Sequence, residues 1–223
     1  MKQKTVFLGA VVLLLLVFAV ATMNYKAETA EQTEQVVDRN RDRLIRMHSP
    51  TLGNMQAKVV IVEFLDPACE TCRSFYPLVK QMMAANPNDI RLVLRYAPFH
   101  EGSEDVVAVL EAARKQGKLW PALEALLASQ AEWAPHHTAQ VDLVWKHLEG
   151  LGLDLARMRA DMAAPEIARV IEQDLADAQA LNVTKTPEFF VNGQPLPRFG
   201  YEPLKQLVNS ALTEASRTRQ DGR

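Results

Sequence analysis

Short apolar runs alternate with longer stretches of helical spacing through the body of the chain. Residues 58–65 and 89–97 are rich in valine, leucine and isoleucine, and their length and composition are typical of buried β-strands. Residues 70–85, which lie between them, have helical character. So short a crossover favours parallel pairing of the two strands. Residues 187–196 give another strand signal, and the Asn-Gly pair inside them favours a type I′ turn of a β-hairpin.

Helical patterns fill the chain between the second strand and the hairpin. One example starts at Pro165, a residue suited to the first helical position, and places apolar side chains on one face: Ile167, Val170, Ile171, Leu175 and Ala178. A last amphipathic helix is predicted over residues 202–216. The order of elements therefore predicts an α/β fold: βαβ, an all-helical insertion at about 101–181, a β-hairpin and a final helix.

The N-terminal segment differs from the rest in its hydropathy. Residues 5–25 carry no charge and follow Lys2 and Lys4. A run of about 20 apolar residues can span a bilayer, and the lysines before it predict a cytoplasmic N-terminus and an exported body. A cleaved signal peptide is the alternative, because residues 19–21 fit an A-x-A processing site; a buried core helix is a third. Either export interpretation places the body where disulfides persist.

Charge and composition divide residues 26–223 into three predicted segments. Residues 26–52 are predicted to form a charged stalk or linker, residues 53–216 the folded domain, and residues 217–223 a polar tail. The formal net charge of the chain is −2, which provides no basic surface for nucleic acid.

Both cysteines of the chain, Cys69 and Cys72, lie where the first strand ends and the first helix begins. Unpaired N–H groups and the positive end of the dipole stabilise a thiolate at a helix N-terminus. In C-x-x-C motifs they can lower the pKa of the leading thiol from about 8.5 to roughly 3.5–7.5. We therefore expect Cys69 to be an exposed nucleophile and Cys72 a buried resolving thiol.

Two other interpretations of the pair stay open. A structural zinc site needs four ligands, and the sequence has no second C-x-x-C motif, so no metal is predicted. Two inert buried thiols are the other possibility, and C-x-x-C by itself does not exclude it.

The surroundings of the cysteines resemble a known family. The segments VIVEFLDPACETCRSFYP (60–77) and VTKTPEFFVNG (183–193), with the helical insertion between them, are similar to the DsbA-like thiol–disulfide oxidoreductases of the thioredoxin superfamily. The resemblance covers roughly residues 48–215. It implies a thioredoxin fold with an inserted helical subdomain, preceded here by the transmembrane or signal segment, and a redox pair formed by Cys69 and Cys72.

The resemblance also implies roles for three further residues. Pro187 matches the family's cis-proline that faces the disulfide, and Thr186 supplies backbone that pairs with substrate. Glu63 matches a buried acidic residue that accepts a proton from the resolving cysteine, and burial in an apolar strand would raise its pKa toward neutrality. The alternatives are that Pro187 merely starts a strand and that Glu63 lies on an exposed strand face.

The dipeptide between the cysteines departs from the family's best-known members. Glu70 and Thr71 occupy positions where the strongly oxidising members carry Pro-His, and a glutamate there disfavours a neighbouring thiolate. These two residues are therefore expected to tune the redox couple, which should be a milder oxidant than in those members.

The predicted function is thiol–disulfide exchange on exported proteins, mainly disulfide donation, on the periplasmic side of a bacterial inner membrane. The chain would be anchored through residues 5–25 if that segment is uncleaved, or soluble in the periplasm if it is cleaved. The exchange needs no dissociable cofactor. The resemblance implies a membrane redox partner, either a quinone-linked oxidase or a reductant. An isomerase or reductase of the same fold and a non-catalytic peptide-binding or chaperone module are the alternatives.

Overall fold

The computed structural model of the protein describes residues 40–221, together with the isolated helical positions Phe18 and Thr22. The predicted membrane or signal segment and residues 26–39 of the predicted stalk otherwise lie outside the described residues. Within the described part of the chain, no helix has both the length and the apolar character needed to cross a bilayer. The chain divides into two compact units, Met1–Arg41 and Asp42–Arg223, and the second holds the architecture described below.

Five strands form one mixed sheet in the order β1-β3-β2-β4-β5. Strands β2 and β3 are parallel, as predicted from their short helical crossover, and the other neighbouring pairs are antiparallel. Both central residues of the β4–β5 turn have positive φ, as the Asn-Gly pair predicted. The strands are β1 (Thr51–Gly53), β2 (Val59–Leu65), β3 (Ile90–Tyr96), β4 (Glu188–Val191) and β5 (Gln194–Pro195).

Helix α1 (Glu70–Ala85) makes the crossover between β2 and β3, and α8 (Tyr201–Asp221) follows the hairpin. Helical elements alone fill the chain from β3 to β4. They are α2 (Ser103–Lys115), α3 (Leu119–Ala128), α4 (Gln130–Trp133), α5 (Val141–Val144), α6 (Leu155–Asp161) and α7 (Pro165–Ala180), with 3-10 turns at Pro135–His137 and Trp145–His147.

Both faces of the sheet are buried, which explains why β2 is apolar along almost its whole length. Side chains alternate between the faces, so Ile61 and Leu65 belong to one hydrophobic cluster while Val62 and Phe64 belong to another. The first cluster contains both cysteines and the apolar faces of α1 and α8. The second is closed by Leu44 and by Ala178 of α7.

The predicted stalk, residues 26–52, extends too far toward the domain. Residues 42–52 belong to the folded unit, since Leu44 is 2% exposed and β1 pairs with β3. Arg46 forms an ion pair with Asp177 at 2.6 Å, and His48 lies 2.7 Å from Asp174. One of the charges that suggested a solvated linker, that of Arg46, is thus paired with a buried carboxylate of α7, a contact that the local sequence does not reveal.

The predicted polar tail also differs from the structure. Helix α8 continues to Asp221, five residues beyond its predicted end at 216, so most of residues 217–223 are helical. No glycine or proline interrupts the chain between residue 216 and Gly222, and polar residues on an exposed helix need no core of their own.

Candidate active site

The two cysteines lie at the N-terminus of α1. Cys69 is the N-cap residue, and its sulfur accepts a hydrogen bond from the main-chain N–H of Cys72 at 3.4 Å. The turn from β2 is closed by the N–H of Cys69, which donates to the carbonyl of Asp66 at 3.1 Å. The end of β2 and the start of α1 thus place both sulfurs at the helix mouth.

A buried carboxylate fixes this turn to the loop after β3. Asp66 accepts hydrogen bonds from the N–H of Ala68 at 2.8 Å, from the N–H groups of Phe99 and His100 at 2.7 and 2.8 Å, and from the hydroxyl of Ser103. His100 Nδ1 lies 2.7 Å from the same carboxylate. Asp66 was not predicted from the sequence; an aspartate directly after a buried strand and before proline is the signal that could have indicated it.

Cys69 is less accessible than expected, since only 4% of the residue is exposed. Its thiol donates to the carbonyl of Thr186 at 3.3 Å. The pKa of Cys69 is lowered from 9.0 to about 5, chiefly by its hydrogen bond with the Cys72 thiol. Burial opposes this shift, while the side chain of Thr186 and the N–H groups of Cys72 and Thr71 support it. Cys69 therefore ionises well below neutral pH.

Cys72 has the opposite character. It is completely buried, and burial raises the pKa of its thiol well above the ordinary value; the hydrogen bond with Cys69 and the charge of Glu63 add to the effect. The reduced pair consequently divides into one thiolate, at Cys69, and one thiol, at Cys72.

Glu63 is buried at the middle of β2, so the exposed-face alternative is wrong. Neither of its carboxylate oxygens has a hydrogen-bond partner among residues 40–221. Burial, together with the negative charge of Cys69, raises the pKa of Glu63 to about 8. The side chain can therefore hold or release a proton near neutral pH beside the cysteine pair.

The Thr186–Pro187 peptide bond is cis and stands directly before β4. Its Thr186 carbonyl contacts the Cys69 sulfur, so residues distant in sequence meet at the redox pair. Glu70 is exposed, and water screens its carboxylate from the thiolate. Thr71 is half-buried, and it acts on Cys69 through its main-chain N–H.

An aromatic row leads from this region to the surface. The ring of Phe75 lies 5.6 Å from that of Phe189 and 5.1 Å from that of Phe199, which is 42% exposed. The ammonium group of Lys185 stands 5.4 Å from the centre of the Phe199 ring. The residue before Thr186 and an exposed phenylalanine thus form a surface with apolar and cationic character.

Groups of three or more histidine, cysteine, aspartate or glutamate side chains arranged to hold a metal ion do not occur in the described part of the chain. His100 and His137 stack with ring centres 4.9 Å apart.

Comparison with known proteins agrees with this architecture. The profile of a thioredoxin family matches residues 46–210. A thioredoxin-like oxidoreductase from Silicibacter pomeroyi DSS-3 is 33% identical, with a TM-score of 0.67 over 78% of this chain and 98% of that one. The thiol-disulfide exchange protein alpha-DsbA2 from Wolbachia pipientis shares the fold at 18% identity, with a TM-score of 0.67 over 81% of this chain and 96% of that one.

A curated relative of a different kind also matches. The Na(+)/H(+) antiporter NhaA of Herminiimonas arsenicoxydans is 30% identical over 205 residues, which are 91% of this chain but 30% of that protein. The chain thus spans about a third or less of the length of the curated relatives it matches.

The family match covers the sheet, the cysteine pair and the helical insertion together. The structural relatives place an oxidoreductase and a thiol–disulfide exchange protein on the same fold. The resemblance to the thioredoxin superfamily is confirmed: the chain belongs to the thioredoxin family and is similar to a thioredoxin-like oxidoreductase, and it shares its fold with DsbA-like proteins.

Proposed function

We propose that the protein exchanges thiols and disulfides with exported proteins through Cys69 and Cys72, and that it acts mainly as a disulfide donor. The observation that carries the proposal is the division of the pair: the pKa of Cys69 falls to about 5 while that of Cys72 rises above its ordinary value. Because a stabilised thiolate favours the reduced form of the pair, the oxidised form is a good oxidant.

In the proposed reaction a substrate thiolate attacks Cys69 of the Cys69–Cys72 disulfide. A sulfur–sulfur bond forms between substrate and Cys69, and Cys72 departs with the electron pair. A second substrate thiolate then attacks the substrate sulfur of the mixed disulfide and releases Cys69 as a thiolate. The substrate loses two electrons, and the enzyme gains them as one thiolate and one thiol.

Glu63 has the properties that the departing sulfur needs. A buried Cys72 thiolate is unfavourable, since burial raises the pKa of that thiol. Glu63 is close enough for its charge to contribute to the shift, and its own burial raises its pKa, so that it can hold a proton near neutral pH. We therefore assign to Glu63 the delivery of a proton to Cys72 in donation and its removal in the reverse direction.

The substrate is proposed to bind beside the cis peptide bond. Main-chain groups of Thr186, held in place by Pro187, would pair with an extended substrate segment. The exposed Phe199 ring and the Lys185 ammonium group lie 5.4 Å apart in space and would contact its side chains. We assign to Thr71, through its main-chain N–H, and to Glu70 the tuning of the redox potential of the cysteine pair. The effect of Glu70 is weakened by its exposure to water.

The same proposal places the domain on the periplasmic side of the membrane, where exported proteins acquire disulfides. Residues 5–25 would hold it there if uncleaved. No dissociable cofactor enters the exchange. A membrane redox partner, an oxidase linked to quinone or a reductant, would restore the active form of the pair after each turnover.

The test is oxidation of a reduced, unfolded two-cysteine peptide by the oxidised full chain. We expect stoichiometric formation of the peptide disulfide, its loss in Cys69→Ser, and a reduction potential nearer to about −120 mV than to thioredoxin's about −270 mV. A potential close to thioredoxin's would favour a reductase or isomerase. If the Cys69→Ser/Cys72→Ser variant still binds the peptide and the wild type does not oxidise it, the proposal is contradicted and a binding module is favoured.

A further inference from the structure

Gln130 connects the helical insertion to the redox turn. It is the first residue of α4 and is completely buried. Its side-chain Nε2 donates to the carbonyl of Pro67 at 2.7 Å and to the carbonyl of Cys69 at 3.0 Å. A single amide group therefore holds two carbonyls of the turn that carries the reactive cysteine.

The Cys69 carbonyl determines where the helix N–H groups lie relative to the sulfur. It also accepts the N–H of Arg73 at 3.1 Å, the first hydrogen bond of α1. The direction of this carbonyl is set by the ψ angle of Cys69, which is 117°. The same angle aims the N–H groups of Thr71 and Cys72 at the Cys69 sulfur. A side chain that fixes the carbonyl thus fixes the donors that stabilise the thiolate.

The chemistry of Gln130 fits this task and not simple packing. Its Oε1 atom is buried and has no hydrogen-bond partner among the described residues. An unsatisfied amide oxygen is unfavourable, and an apolar side chain of equal size would avoid it. Both carbonyls are acceptors, so only a side chain with two donors can satisfy them together. The NH₂ group supplies these without adding charge beside Cys69.

We propose that Gln130 is a positioning residue for the redox pair: from the helical insertion it fixes the N-cap geometry of Cys69 and so stabilises its thiolate. The inference rests on the proposed function, in which Cys69 is the reacting sulfur. It also gives the insertion a direct effect on the chemistry, in addition to its packing against the sheet.

The test compares Gln130→Met, which keeps the volume and loses both donors, with Gln116→Met. Gln116 is a matched control, because its exposed amide also bonds the main chain twice, to Asp154 at 3.0 and 2.9 Å, away from the cysteines. The readouts are the thiolate titration of Cys69 in the reduced full chain, its alkylation rate, and the reduction potential. Thermal unfolding is followed in parallel.

For Gln130→Met we expect the titration midpoint to rise by about one pH unit, which is a tenfold change in the ionisation constant. Alkylation below the midpoint should slow about tenfold, because less thiolate is present. The potential should become more reducing. Gln116→Met should leave all three readouts unchanged even where it lowers the unfolding temperature.

A second variant, Gln130→Asn, keeps a buried amide but withdraws it by one methylene, and it replaces the first if that one fails to fold. It should move the midpoint in the same direction. If folded Gln130 variants have the same Cys69 titration midpoint as the wild type, the inference is overturned while the proposed function stays intact. A wild-type chain whose own midpoint is not lowered would instead contradict the proposed function.

Discussion

The two faces of the sheet each bury an ionisable side chain, and the two side chains have opposite surroundings. Glu63 in β2 pairs in register with Leu94, and the next pair, Phe64 with Arg95, points to the other face. Glu63 has no hydrogen-bond partner within residues 40–221. Arg95 is also completely buried, but it bonds Asp174 at 2.8 Å, Asp177 at 2.7 Å and the carbonyl of Arg43.

The difference separates a structural charge from a reactive one. Burial alone would raise the pKa of Asp177, but hydrogen bonds from Arg46 and Arg95 lower it, so that this carboxylate stays ionised. Glu63 has no cation among residues 40–221 to offset its burial, and it responds by retaining its proton up to a pKa of about 8. Only the unpaired group can change its protonation state near neutral pH, and it lies on the face that carries the cysteines.

The largest effect on the free energy of unfolding is expected from removing Arg95, the buried cation that pairs with Asp174 and Asp177. Arg95→Met leaves Asp174 and Asp177 buried without their shared partner, and a loss of about 3–5 kcal/mol in the free energy of unfolding is typical of such a change. Denaturant titration of the full chain measures it. The control is Lys80→Met, which removes an exposed pair with Glu124 at 2.9 Å and should cost at most about 1 kcal/mol.

The thiolate titration of Cys69 should be unchanged in folded Arg95→Met, because the network lies across the sheet. A loss no larger than that of the Lys80 control would contradict the assignment of Arg95 as a structural charge.

We expect the unpaired carboxyl group of Glu63 to make the free energy of unfolding depend on pH. Below pH 4.5 Glu63 is protonated in folded and unfolded chains alike. As the pH rises toward about 8, the unfolded chain releases the proton while the folded chain keeps it, so the free energy of unfolding falls. In Glu63→Gln this decline, which is at most about 5 kcal/mol for a shift from 4.5 to about 8, should disappear.

The measurement is denaturant unfolding at several pH values with the Cys69–Cys72 disulfide intact, so that the cysteines do not titrate. The thiolate charge is then absent and the shift is smaller, but burial, its main cause, remains. Parallel pH profiles for wild type and Glu63→Gln would show that the buried carboxyl does not titrate as assigned.

A smaller free-energy effect is expected on the exchange rate. Glu63→Gln cannot deliver a proton to the departing Cys72, and we expect release of that sulfur to slow about a hundredfold, within the usual range of general acid catalysis. Rapid acid quenching of the reaction with a peptide thiol measures this step. Glu111→Gln is the control, because Glu111 is also buried but bonds Tyr96 at 2.8 Å. Equal rates in Glu63→Gln and wild type would remove Glu63 from the mechanism.

Local signals predicted much of the fold, and long-range contacts account for what was missed. The apolar runs of β2 and β3, with one helix between them, were enough to predict their parallel pairing. Strand β1 has only three residues, and it exists because it pairs with β3. The N-terminal boundary of the folded unit was misplaced because Arg46 bonds a carboxylate 131 residues away.

The candidate active site likewise has residues that local sequence predicted and residues that only long-range contacts define. Cys69 and Cys72 were evident from their spacing and their position at a helix start, and the glutamate in an apolar strand suggested burial. The absence of donors around Glu63 is a tertiary property. Gln130 was missed because its partners lie 63 and 61 residues away, and no periodicity or motif marks such a contact.

The central claim is that the reduced pair holds its negative charge on Cys69. The most direct test is the pH titration of the reduced full chain, followed by the ultraviolet absorbance of the thiolate and by mass-resolved alkylation at Cys69. We predict a midpoint near 5 for Cys69, with Cys72 unreactive through neutral pH. A Cys69 midpoint near its ordinary value of 9.0, or earlier ionisation of Cys72, would contradict the account.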